Sequence, residues 1–122
     1  FRDLGGFDSN YFMYYEDVDF SQRALAEKFE LQLIEGLEIE HAVSSSSGGE
    51  YSFFSNSMMI KNRLYYFKKN HMYFRILFYW LVRPLYLTYY FIFHYKMFKI
   101  HIKTYFSVLH SNFNGTFKFR VG

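Results

Sequence analysis

Apolar positions recur with two different periods along this chain, and the change of period marks its parts. Residues 1–15 show neither period and read as an irregular loop, with Gly5-Gly6 available for a backbone turn closed to other residues. Phe20, Ala24 and Lys28 are then spaced i, i+4, i+8, with Leu25 widening the apolar side. That spacing predicts a helix from about Tyr15–Asp17 to Lys28. Over 31–43 the period drops to two: Leu31 and Leu33 alternate, and after Gly36 the residues Leu37, Ile39, His41 and Val43 share a face opposite Glu38 and Glu40. Extended chain is expected there. A second helix is predicted from Tyr51 to about Asn70, carrying Met58, Met59, Leu64, Tyr65 and Phe67. The most apolar stretch, 72–109, is interrupted by Arg83-Pro84. Beyond it, Asn114-Gly115 followed by Phe117, Phe119 and Val121 predicts a short hairpin.

Charge divides the chain more sharply than its net +3 suggests. Residues 1–57 hold all 11 acids and only three bases, Arg2, Arg23 and Lys28. Residues 58–122 hold 11 bases and no acid. An acidic segment is thus joined to a basic, aromatic one that suits an anionic partner. Cysteine is absent, which excludes disulfides and thiolate metal sites. With 122 residues there is room for one small domain. The loop Ser44–Gly49 reads equally as a plain linker or as a lid. No Gly-rich phosphate loop and no Ser/His/Asp arrangement occurs, which argues against nucleotide hydrolases and serine hydrolases.

Candidate chemistry lies in residues 5–20, GGFDSNYFMYYEDVDF. Glu16, Asp17 and Asp19 fall within the first turn of the predicted helix, Asp8 lies just before them, and aromatic residues surround all four. Positive potential at a helix N-terminus keeps a carboxylate ionised, as a proton acceptor must be. Acids at a helix start also stabilise the helix without doing any chemistry, so the position has a purely structural reading as well. His41, at the end of an apolar strand face, reads on pattern alone as a packed or solvent-tipped residue.

Gly5-Gly6-Phe7-Asp8, a short spacer, Phe12-Met13-Tyr14, then Glu16-Asp17-Val18-Asp19 and Arg23 resemble the acceptor-side motif of glycosyltransferase family 2. The similarity is greatest to bacterial rhamnosyl- and galactofuranosyltransferase-like enzymes of cell-surface polysaccharide synthesis, and it runs on through His41 to Lys61-Asn62-Arg63. The resemblance implies an α/β fold, in which this chain is the C-terminal part of a GT-A (Rossmann-like) domain followed by aromatic, basic helices. Residues 1–50 would be the acceptor side of the catalytic domain, 51–109 a helical extension and 110–122 a tail. The implied reaction is inverting transfer from a nucleotide-diphosphate sugar to a lipid-linked or glycan acceptor. Asp17 would be the base, Glu16 and Asp8 would bind the acceptor, and Lys61 and Arg63 would bind phosphate. His41 would be one ligand of a divalent metal, Mn or Mg, whose other ligands lie outside these residues. Asp19 is expected to be structural, paired with Arg23. The chain alone is expected to be inactive. A truncated remnant acting as a membrane-associated module is the alternative, with a glycoside hydrolase after it.

For 72–109, the uncharged runs 76–82 and 84–93 are each shorter than the roughly 20 residues of a transmembrane helix. Lys96, Lys99 and Lys103 form one basic stripe, and Tyr79, Trp80, Tyr86, Tyr89 and Tyr90 suit the headgroup zone. Helices lying in the membrane interface are therefore expected, with a full span as the runner-up and an ordinary packed core as the plain alternative; the resemblance implies the cytoplasmic face. No RNP-like or helix-turn-helix signature supports a nucleic-acid partner.

Overall fold

The computed structural model describes residues 1–36 and 52–113. A short 3₁₀ turn, Arg2–Leu4, leads to four α-helices: α1 (Glu16–Ala26), α2 (Phe53–Lys69), α3 (Tyr73–Phe93) and α4 (Tyr95–Phe113). Among the described residues there is no strand and no sheet. The expected α/β, Rossmann-like GT-A architecture is therefore corrected to an all-helical one. Residues 31–36 show why alternation misled. Leu31, Leu33 and Ile34 are all exposed, and among the described residues no second segment pairs with them. A lone extended segment cannot satisfy its backbone hydrogen bonds and is not a stable sheet. Residues 37–43, with the rest of that expected strand, lie outside the described residues, as does the expected hairpin near the C-terminus.

Helices α2, α3 and α4 pack on one another pairwise. Their shared core is Ile60 and Leu64 of α2 and Val108 of α4, with Ile76, Tyr79 and Trp80 of α3 against it. In α4 the buried residues His101, Thr104 and Val108 recur at i, i+3, i+7, the spacing of one helix face. Ser52 caps α2 by accepting the Ser55 N–H at 3.0 Å, supplying a partner to an N-terminal amide that the helix leaves open. The α2–α3 turn is set by His71, which adopts a left-handed backbone (φ 56°).

Helix α3 runs unbroken through Pro84, which faces outward, and the chain breaks instead at His94. Proline removes one hydrogen bond, and the neighbouring helices hold the rest of α3 in place. Phe74, Leu77, Phe78, Leu81, Leu85 and Ile92 are all exposed and form a continuous outward stripe on α3. By length and composition, α3 could cross a membrane.

Candidate active site

The acid-rich loop is built around Arg23. Its Nη atoms donate to the carbonyl oxygens of Leu4 and Gly6, the latter at 2.6 Å, while Nε pairs with Asp19 at 2.9 Å. Gly5 and Gly6 both take positive φ, and the tight turn they make brings the Leu4 and Gly6 carbonyls to that guanidinium. Phe1, Phe7 and Phe20 pack as three mutual ring contacts, with centroids 5.1–5.4 Å apart, and cover this corner.

Asp19 is 1% exposed and fully engaged. Besides Arg23 it meets Lys69 Nζ at 2.8 Å and accepts from the Tyr11 hydroxyl at 3.3 Å. The same Lys69 ammonium reaches Asp8 at 2.7 Å. Asp8 also accepts from Tyr65 and from the backbone and side chain of Asn10. Burial pushes the Asp8 carboxyl up, but the hydrogen bonds from Lys69 and Asn10 outweigh it and hold it at about 2. Lys69 is likewise opposed by burial and raised on balance by Asp19 and Asp8. Burial and the nearby Asp19 charge raise Tyr11, so it stays a hydroxyl donor. Two of the four acids of this segment therefore hold the loop against α2.

The other two stand differently. Tyr14 and Tyr15 both adopt left-handed backbone angles (φ 68° and 71°), a costly choice for aromatic residues. Asn62, buried on α2, fixes this turn by donating to the carbonyls of Met13 at 2.5 Å and Tyr14 at 3.0 Å. Arg63 donates to the Tyr15 hydroxyl at 2.7 Å. Helix α1 starts directly after, with no side-chain cap at Tyr15. Its first two residues are thereby placed at a helix N-terminus in a fixed direction. Asp17 is exposed and, among the described residues, makes no ion pair; its Oδ1 accepts only from the adjacent Val18 N–H at 2.8 Å. Glu16 is half-buried, and its Oε2 is buried without a hydrogen-bond partner. A buried acceptor without a donor is uncommon in a folded chain and marks this position out.

No family model, curated protein or solved structure matches the chain. The likeness to glycosyltransferase family 2 thus rests on the motif residues themselves.

Those residues are distributed unevenly in space. Glu16 and Asp17 stand together at the head of α1, whereas Asp8 is occupied by Lys69, Tyr65 and Asn10. Arg63 turns to Tyr15, and Lys61 is half-buried, its ammonium pushed down by burial. His41 lies outside the described residues. Among the described residues no three His, Cys, Asp or Glu side chains converge as metal ligands, and Asp8 and Asp19 already share a lysine.

Sequence reasoning missed Lys69 as the link between the loop and α2. Its signal was available: Asn62, Tyr65 and Lys69 follow at i, i+3, i+7 and form one polar stripe along the helix. That stripe is the face α2 turns to the acidic loop.

Proposed function

We propose that this chain carries the acceptor side of a nucleotide-sugar-dependent, inverting glycosyltransferase, with Asp17 as the base. One observation carries this reading. Of the clustered acids, Asp17 alone is both exposed and without a cation, and it is fixed by a strained turn that Asn62 and Arg63 hold from behind. Strain of this kind persists where the surroundings over-determine it, and it is concentrated at functional sites.

In the proposed step, an acceptor hydroxyl lies between the two adjacent acids of α1. Glu16, adjacent to Asp17 at the head of α1, orients the acceptor sugar through its carboxylate. Asp17 removes the proton of the attacking hydroxyl. The resulting oxygen nucleophile forms a bond to the anomeric carbon of the donor while the bond to the nucleoside diphosphate breaks, with inversion. Asp17 stands in the first turn of α1, where negative charge suits the helix N-terminus. A divalent metal and His41 stay within the proposal as the resemblance implies them; no step here is routed through them.

A glycoside hydrolase is less well supported. It needs one protonated carboxyl as acid and a second carboxylate about 5–10 Å away. Asp8 is the acid available to partner Asp17, and Lys69 keeps Asp8 ionised down to about pH 2.

The exposed apolar stripe of α3 and the outward Lys96, Lys99 and Lys103 of α4 support attachment to an anionic membrane surface. Peripheral attachment on the cytoplasmic face is the favoured form, because Arg83 near the middle of α3 makes a full span costly.

The test is transfer of labelled sugar from a panel of nucleotide sugars by membranes from cells expressing the protein from its complete gene. Transfer that disappears with Asp17→Asn, while nucleotide-sugar binding remains, supports the reading. Release of free sugar without nucleotide dependence, or no transfer with any donor, would refute it.

A further inference from the structure

Between α2 and α3 lies a groove of about 530 Å³ whose lining includes Arg63, Arg75 and Arg83 together with Phe74, Phe78 and Tyr79. The walls are mainly apolar, yet three guanidinium groups reach it, and no acid of the chain lies beyond Glu50. Arg83 is the most telling. It is 8% exposed, and its Nε and Nη2 atoms are buried with no hydrogen-bond partner. Its guanidinium sits 4.8 Å from the Tyr86 ring centroid and 5.8 Å from that of Tyr79, contacts that offset only part of the cost of burying a cation. Arg83 lines the groove and keeps two guanidinium donors without a partner; an oxyanion supplies such a partner, and bidentate phosphate recognition is what arginine does best.

The apolar walls narrow the ligand further. Phe74 and Phe78 line the groove and also belong to the exposed stripe of α3, so the groove opens onto the surface read above as membrane-facing. A ligand that satisfies both parts carries a phosphate at one end and a long hydrocarbon chain at the other. We propose that the α2–α3 groove binds the phosphate or diphosphate head of a long-chain lipid, with Arg83 as the deep ligand and Arg75 at the rim. Arg63 connects the groove to the candidate active site, because it lines the one and holds Tyr15, next to Glu16, in the other. The binding claim stands on the groove itself; the lipid's role as the acceptor rests on the transfer reading.

The test is equilibrium binding of radiolabelled farnesyl diphosphate to the full chain in neutral detergent, with farnesol and inorganic pyrophosphate as competitors. Farnesyl diphosphate should compete at least tenfold better than either. Arg83→Gln should weaken binding tenfold or more, and the exposed-rim variant Arg75→Gln should weaken it several-fold with helix content unchanged. Asp17→Asn should bind normally. Equal competition by farnesol or by pyrophosphate, or unchanged affinity in both arginine variants, would overturn the proposal. Lost transfer in Asp17→Asn alongside absent lipid binding would sink the groove and leave the transfer reading intact. Normal lipid binding with no sugar transfer would do the reverse.

Discussion

Asn62, on α2, donates its side-chain N–H to the carbonyl oxygen of Tyr14, 3.0 Å away and 48 positions earlier in the chain. It thereby holds Tyr14 in a left-handed conformation that the residue would not choose on its own. The head of α1 inherits its direction from that contact. Replacing Asn62 with Ala removes the donor from two half-buried carbonyls and should cost about 1–3 kcal/mol of stability. If the turn serves catalysis, the loss of transfer should exceed any loss of folded protein. Chemical denaturation and transfer rates measured on the same preparation separate the two. Full activity in a destabilised Asn62→Ala protein would make the turn merely structural.

The ion cluster gives a pH prediction with a definite sign. Asp8 is depressed in the folded chain to about 2 from an ordinary 3.8. Its contribution is therefore present above about pH 4 and lost as pH falls towards 2, amounting to about 1–2 kcal/mol after allowance for solvent screening. Lys69 is raised, so its contribution is present below its ordinary 10.5 and lost only as pH rises beyond that. Urea midpoints should fall between pH 5 and pH 3 in the native chain and fall less in Asp8→Asn. An equal fall in both would show that Asp8 is not responsible.

Lys69→Met should be the more damaging change at neutral pH. It leaves buried Asp19 with Arg23 as its remaining cation and removes the tie from Asp8 to α2. A loss of about 2–3 kcal/mol is expected. The double variant Lys69→Met, Asp8→Asn should recover part of it, because the carboxylate left unpaired is gone. Additive losses in the double variant would mean the two residues are not coupled.

The membrane prediction rests on Leu81 and Leu85, exposed to 65% and 71% on the outer face of α3. Changing both to Glu should abolish co-sedimentation with anionic vesicles and leave helix content unaltered. Gln at Lys96, Lys99 and Lys103 should instead remove the salt dependence of binding and leave the apolar part in place. Unfolding of the Leu81→Glu, Leu85→Glu protein would show that this face is packed rather than open.

The sequence revealed the helices more reliably than the fold. Phe20, Ala24 and Lys28 announced α1 within two residues of its ends, and the long period of 51–70 announced α2. Leu31 and Leu33 announced a strand that is not there, because alternation reports a possible face and says nothing of a partner strand to pair with. Arg83-Pro84 looked like an interruption, yet α3 continues through it with Pro84 outward. In the site, the pairing of Asp19 with Arg23 was legible because it is local, at i+4. The engagement of Asp8 was not, since Lys69 is 61 positions away and only the packing of the loop on α2 brings them together. Arg83 read as an interruption of the apolar stretch, and its place in the lining of a groove, with donors left unpartnered, emerged only from how α2 and α3 pack.

The central claim is the separation of roles between Asp17 and Asp19, two acids in the same helical turn with opposite surroundings. Sugar transfer and thermal unfolding should be measured side by side for Asp17→Asn and Asp19→Asn, in the protein expressed from its complete gene. Asp17→Asn should lose transfer by about a thousandfold or more, as removal of a catalytic base typically does, with its unfolding temperature nearly unchanged. Asp19→Asn should unfold several degrees lower and retain transfer in proportion to the folded fraction. Retained turnover in Asp17→Asn, or a fall in its stability as large as that of Asp19→Asn, would contradict the assignment.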